Sequence, residues 1–203
     1  MEVKISKRVY ISADYSSDNG DREVTDVLRK WGEDNLHKTD FIDMAQVISG
    51  SVSSNPDCRA CDLKKEFNQQ ISASSAVIFI VGDQTKNRSA GSECYLAKTG
   101  FFSGPCTPYK HNSNGQKSCK VFATVPAKNE IGSINQYSYL QHEFEQAKYL
   151  NKTIIIVYNS LRKEESWLPA YMDGYEGIAQ PFWIKNAFGE KVGDYGFIKK
   201  GSL

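Results

Sequence analysis

The chain has 203 residues, 40 % of them hydrophobic and 24 % charged, which suits one soluble domain with a core of its own. Lys and Arg number 25 against 24 Asp and Glu, a formal charge of +1, so the basic excess expected of a nucleic-acid grip is absent. The longest apolar runs, Ala76 to Val81 and Ile154 to Tyr158, fall far short of the roughly 20 residues that span a bilayer. No apolar segment follows Met1–Arg8 to act as a secretory leader, so the expected location is the cytoplasm. Five cysteines, an odd number, then predict no disulfide framework.

Residues 8–13 form a short β-rich run that ends in the polar loop Asp14-Tyr15-Ser16-Ser17-Asp18-Asn19-Gly20. An amphipathic helix follows, with Val24, Val27, Leu28 and Trp31 on one face, acids Asp21 and Glu23 in its first turn and Gly32 at its end. Residues 39–45 predict a second strand. After the loop Ser49–Pro56, a helix from Asp57 is predicted by Ala60, Leu63, Phe67 and Ile71. Residues 75–82 carry no polar alternation, which predicts a central strand buried on both faces.

Residues 86–136 break this rhythm and read as an insertion, with a short helix near Cys94–Lys98 and an extra strand over Cys119–Val125. Ser138 and Gln141 then form a capping-box pattern, and Leu140, Phe144, Ala147 and Leu150 give a helical stripe. Residues 153–158 predict another buried strand, Trp167–Met172 a short helix or turn, and residues 181–185 the last strand. Alternating strands and helices imply a parallel sheet covered on both faces. The expected architecture is a single α/β domain over residues 1–203, a flavodoxin-like three-layer α/β/α sandwich with a five-stranded parallel sheet. Its insertion falls between the central strand and the helix at 138–150. A ligand in such a fold sits beyond the carboxyl ends of the strands, where the chain order reverses.

Several groups could carry chemistry there. Glu143 stands three residues after Leu140 and four before Ala147, at the edge of the buried stripe, whereas Glu145 points nearer to solvent. It is either a catalytic carboxylate facing the crevice or an acid favoured near the helix start by the dipole. The loop holding Ser12, Asp14 and Tyr15 either lines a nucleotide site or is a solvated turn with Asp18 or Asn19 as helix cap. Neither a dinucleotide glycine fingerprint nor a P-loop is present. Cys58 and Cys61 have zinc-knuckle spacing, with Cys94, Cys106, His111 and Cys119 as conceivable partners, but no second well-spaced pair completes a site. His37, His111 and His142 show no metal-pair spacing, and no serine stands in a nucleophile elbow. No metal and no cofactor are expected.

The segments Lys7–Tyr15, Ser75–Thr85 and Tyr139–Glu143, the last followed by Asn151–Ile155, resemble the first strand and loop, the central strand and loop, and the glutamate helix and following strand of TIR and TIR-like domains. The likeness covers residues 7–85 and 137–185 and is greatest to the branch found in bacterial anti-phage defence, including the Thoeris-type TIR subunit. Tyr139 stands where that family often has Trp, and the insertion lengthens a connection that is usually short. The resemblance implies Glu143 as the catalytic residue, with Ser12, Asp14, Tyr15, Asp83 and Tyr139 at the substrate site. It further implies cleavage of NAD+, here a substrate, to an ADP-ribose-derived signal. A separate effector protein that senses the product and self-association would follow, with no membrane or nucleic-acid partner. Two other readings share these features: a nucleoside deoxyribosyltransferase-like enzyme acting on another N-glycosidic bond, and a non-enzymatic TIR-like assembly module.

Overall fold

The computed structural model describes residues 7–13, 21–34, 37, 39–43, 56–88 and 138–202. Strand β3 (Ala76–Val81) reads Ala-Val-Ile-Phe-Ile-Val, and all six residues are buried, as a strand with helices on both sides requires. It pairs in parallel with β1 (Lys7–Ser12) on one side and β4 (Thr153–Tyr158) on the other. β2 (Thr39–Asp43) lies outside β1, and β5 (Gln180–Pro181) outside β4. The sheet is therefore five-stranded and parallel, in the order β2-β1-β3-β4-β5. From β1 the chain steps outward to β2, then crosses back over β1 to β3. The reversal lies between β1 and β3, which makes their carboxyl ends the expected ligand crevice of this doubly wound sheet.

Side-chain alternation sorts the strands onto two faces. Tyr10, Val77, Phe79, Val81, Ile156 and Tyr158 pack with Leu63, Phe67 and Ile71 of α2 (Pro56–Ala73) and with Leu140, Phe144 and Ala147 of α3 (Tyr139–Tyr149). The intervening residues Val9, Ile11, Ala76, Ile78, Ile80, Ile155 and Val157 pack with Val24 and Leu28 of α1 (Asp21–Glu33) and Ile198 of α4 (Tyr195–Ser202). The expected three-layer α/β/α sandwich is thus the one observed.

The predicted last strand is corrected. Residues 181–185 do not form one strand: Gln180 and Pro181 join the sheet, whereas β6 (Trp183–Lys185) pairs in antiparallel fashion with β7 (Lys191–Gly193). Pro181 has no N–H to extend a ladder. The Asn159 amide oxygen takes the Trp183 indole N–H at 2.9 Å, just where the two strands part. At the hairpin turn, Asn186 Oδ1 accepts the backbone N–H groups of Phe188 and Glu190, both at 2.9 Å, and Gly189 adopts φ +80°. The stretch Trp167–Met172 becomes two 3-10 turns, Glu165–Trp167 and Ala170–Met172. Of the expected insertion, the beginning is a 3-10 turn over Thr85–Asn87, and the part from residue 89 onward lies outside the described residues. No helix among the described residues is long and apolar enough to cross a membrane.

Candidate active site

Helix α3 is set by its first residues. Ser138, extended at φ −76° and ψ 160°, accepts the Gln141 N–H on its hydroxyl at 3.0 Å, which is the serine half of the expected capping box. From that start Leu140, Phe144 and Ala147 reach the sheet. The buried face is wider than the apolar stripe, since His142, Glu143 and Gln146 are buried too. Glu143 is 4 % exposed, so it lies within the packed face and not at its edge.

Strand β1 supplies what surrounds it. Tyr10 and Ser12 are two residues apart and share the face toward α2 and α3, while Val9 and Ile11 point the other way. The Tyr10 hydroxyl donates to Glu143 Oε1 at 2.5 Å, and the Ser12 hydroxyl donates to Oε2. Each carboxylate oxygen thus meets one hydroxyl from the carboxyl half of β1. Among the described residues no cation pairs with Glu143. Burial pushes its pKa from 4.5 up to about 7, against the opposing pull of the Ser12 and Tyr10 hydrogen bonds.

The other predicted site residues divide. Asp83 follows β3 at its carboxyl end; its carboxylate is exposed and accepts from Gln84 Nε2 at 3.2 Å. No hydrogen bond or ion pair among the described residues links it to Glu143. Tyr139, one turn before Glu143, is half-buried, its ring edge-on to Phe67 with centroids 5.6 Å apart. Asp14 and Tyr15 lie outside the described residues. So do Cys94, Cys106, His111 and Cys119, and the side chains of Cys58 and Cys61 on α2. Among the described residues no three His, Cys, Asp or Glu side chains gather as metal ligands.

Two residues of this face were not singled out from the sequence. Tyr10 sits within Val-Tyr-Ile-Ser, where it reads as core. Its role follows only on counting back two residues from the polar Ser12 to find what shares that face. Tyr158 ends β4 on the same side, fully buried, and among the described residues its hydroxyl has no hydrogen-bond partner. Burial, then Glu165 and Glu176, hold its pKa above the ordinary phenol value. A buried donor without a partner is uncommon in a folded chain.

A separate groove of about 850 Å³ lies on the far side of the sheet, lined by Leu161, Pro181, Trp183, Ile184, Phe197 and Lys200 among others. It does not include Glu143. No family model matches the chain, and no curated protein does. Among solved structures, a crystal structure of a prokaryotic SEFIR domain aligns over 97 % of this chain and 87 % of its own, at 14 % identity and a TM-score of 0.38. The fold assignment rests on this chain's own strand order and register.

Proposed function

We propose that the chain is a TIR-like enzyme that cleaves the nicotinamide–ribose bond of NAD+. The observation that carries the reading is a buried, uncompensated carboxyl, Glu143, held by two hydroxyls from the end of β1 beside the point where the chain order reverses. The chemistry asks for little else. Nicotinamide is cationic in NAD+ and leaves neutral, so the bonding pair departs with its ring nitrogen and no acid has to protonate it. What must be stabilised is positive charge on the ribose, as in glycoside cleavage. An ionised carboxylate in a dry site does this electrostatically. Water or a group of the same nucleotide then takes the vacated carbon, giving ADP-ribose or a cyclic form. In this reading the product is a signal in anti-phage defence, sensed by a separate effector.

The test is mass spectrometry of NAD+ incubated with the purified chain, alone and with phage-infected lysate, beside Glu143→Gln. Free nicotinamide from the wild type and none from the variant supports the proposal. Cleavage by Glu143→Gln at the wild-type rate would overturn the site. A parallel incubation with deoxynucleosides that frees base, with NAD+ intact, would instead give the deoxyribosyltransferase-like reading. The satisfied state of both Glu143 oxygens favours one further reading, a non-enzymatic assembly module, which predicts no turnover of either substrate.

A further inference from the structure

Glu143 is not held symmetrically. Tyr10 and Ser12 donate to different oxygens, and their places in the fold differ. Tyr10 is fully buried in the body of β1, its Cα in register with Ile42 of β2 and Val77 of β3. It belongs to the cluster that includes Phe79, Leu140 and Phe144, so its ring is held by packing. Ser12, buried as well, is the last residue of the strand, about 7 Å further toward the carboxyl end, where the ligand crevice of such sheets opens. A serine hydroxyl can turn its hydrogen to suit a new acceptor.

We propose that Tyr10 is a positioning residue for Glu143: its hydroxyl anchors one carboxylate oxygen from within the core and leaves the other, shared with Ser12, to be taken over by ribose hydroxyls. The role assigned to the second oxygen rests on the reading of Glu143 as the carboxylate of an N-glycosidic reaction; the anchoring does not. Other titratable groups lie on the elements packed around this face. Among the described side chains these include Tyr139, His142, Glu145, Lys148 and Tyr149 on α3, Glu66 on α2 and Tyr158 on β4, with Tyr171 and Tyr175 packed against the same cluster. His142 Nε2 is engaged with Asn68 Oδ1 at 2.8 Å, and Glu66 accepts from Gln70 at 2.9 Å. Tyr10 is the titratable group bonded to Glu143.

The experiment compares the wild type with Tyr10→Phe in two measurements. The first is an infrared titration of the Glu143 carboxyl on 13C-glutamate-labelled protein, with its band identified by loss in Glu143→Gln. The second is the pH profile of NAD+ cleavage. Removing a donor that favours the ionised form should raise the titration midpoint, and the acidic limb of the rate profile should move up with it. kcat should fall roughly ten- to hundredfold, the size of one lost bond to a charged group, with KM nearly unchanged. Raising the pH should restore part of the loss, which a merely structural defect would not allow. A wild-type midpoint and a wild-type kcat in Tyr10→Phe would overturn the proposal.

If Tyr10→Phe does not fold, 3-fluorotyrosine placed at position 10 keeps the ring and makes a stronger donor. The midpoint should then fall, and an unchanged midpoint overturns the proposal. If the wild type leaves NAD+ intact while the midpoint still moves in Tyr10→Phe, the anchor stands and the NAD+ reading fails, so the two are told apart.

Discussion

Among the described residues, each face of the sheet carries one buried carboxylate near the carboxyl ends of the strands, and the two are held differently. On the α1 face Asp21, with no exposed surface, accepts from Asn159 Nδ2 at 3.2 Å, and Asn159 in turn accepts from the Trp183 indole. That chain of bonds joins the first turn of α1, the end of β4 and the start of β6. It is a tie between elements, and the helix N-terminus beside Asp21 suits its charge. On the α3 face Glu143 meets two hydroxyls from one strand and joins no third element through them. An amide locked to an indole has one geometry, whereas a hydroxyl can rotate and trade partners. The contrast separates a carboxylate that ties three elements together from one whose two partners come from a single strand.

The sharpest way to break this contrast is Glu143→Gln, which keeps shape and removes charge. Cleavage of NAD+ should fall at least a hundredfold, in the range seen when one electrostatic stabiliser is lost, with the circular-dichroism spectrum unchanged. The second test reads stability. Because the folded-state pKa of Glu143 lies above 4.5, at about 7, the native state binds the extra proton between those values. Its unfolding free energy is therefore undiminished below about pH 4.5, falls as pH rises through the interval, and levels off above about 7. The loss amounts to about 3 kcal/mol. Denaturant melts at pH 5 and pH 8 should show this decline in the wild type and its absence in Glu143→Gln. A variant that is inactive yet more stable at pH 8 would mark a site that trades stability for use.

The bracing side predicts the reverse pattern. A Cβ at Gly82 would come to 2.7 Å from Asp21 Oδ1 and 3.3 Å from its Cγ, and Asp21 is too short to swing aside. Gly82→Ala should lower stability by about 1–3 kcal/mol, a drop of roughly 2–12 °C in Tm, while leaving the pH dependence of Glu143 in place. The smallest effect belongs to the rim. Lys191 reaches Glu23 at 2.7 Å and lies 4.0 Å from the Trp183 ring centroid, but both charged groups are largely exposed. Lys191→Ala should change the unfolding free energy by less than about 1 kcal/mol and weaken further in salt.

The parts of this fold that could be read from the chain are those whose physics is local. The runs at 76–81 and 154–158 admit few arrangements other than buried strands, and the Ser138 hydroxyl finds an N–H three residues away. Glu143 could be suspected because its spacing from Leu140 and Ala147 is a local matter. Its partner Tyr10 is 133 residues distant, and nothing near Tyr10 marks which helix will cover it. The hairpin at 183–193 escaped because β6 and β7 have three residues each and are held by the turn at Asn186, not by an alternating pattern. Helix α4 contains Gly196 and Gly201, poor helix formers, and is fixed by contact with β4: a Cβ at Gly201 would sit 2.9 Å from Ile155.

Strand β1 is clasped on both flanks, with Val9 opposite Phe41 on one side and Ala76 on the other. A slip of one position along either neighbour would turn its phenol and its terminal serine toward α1 and present Val9 and Ile11 to the acid instead. The charge would then be shut among aliphatic groups. Correct threading of the sheet and assembly of the polar triad are thus a single event, and a misthreaded chain cannot form the triad.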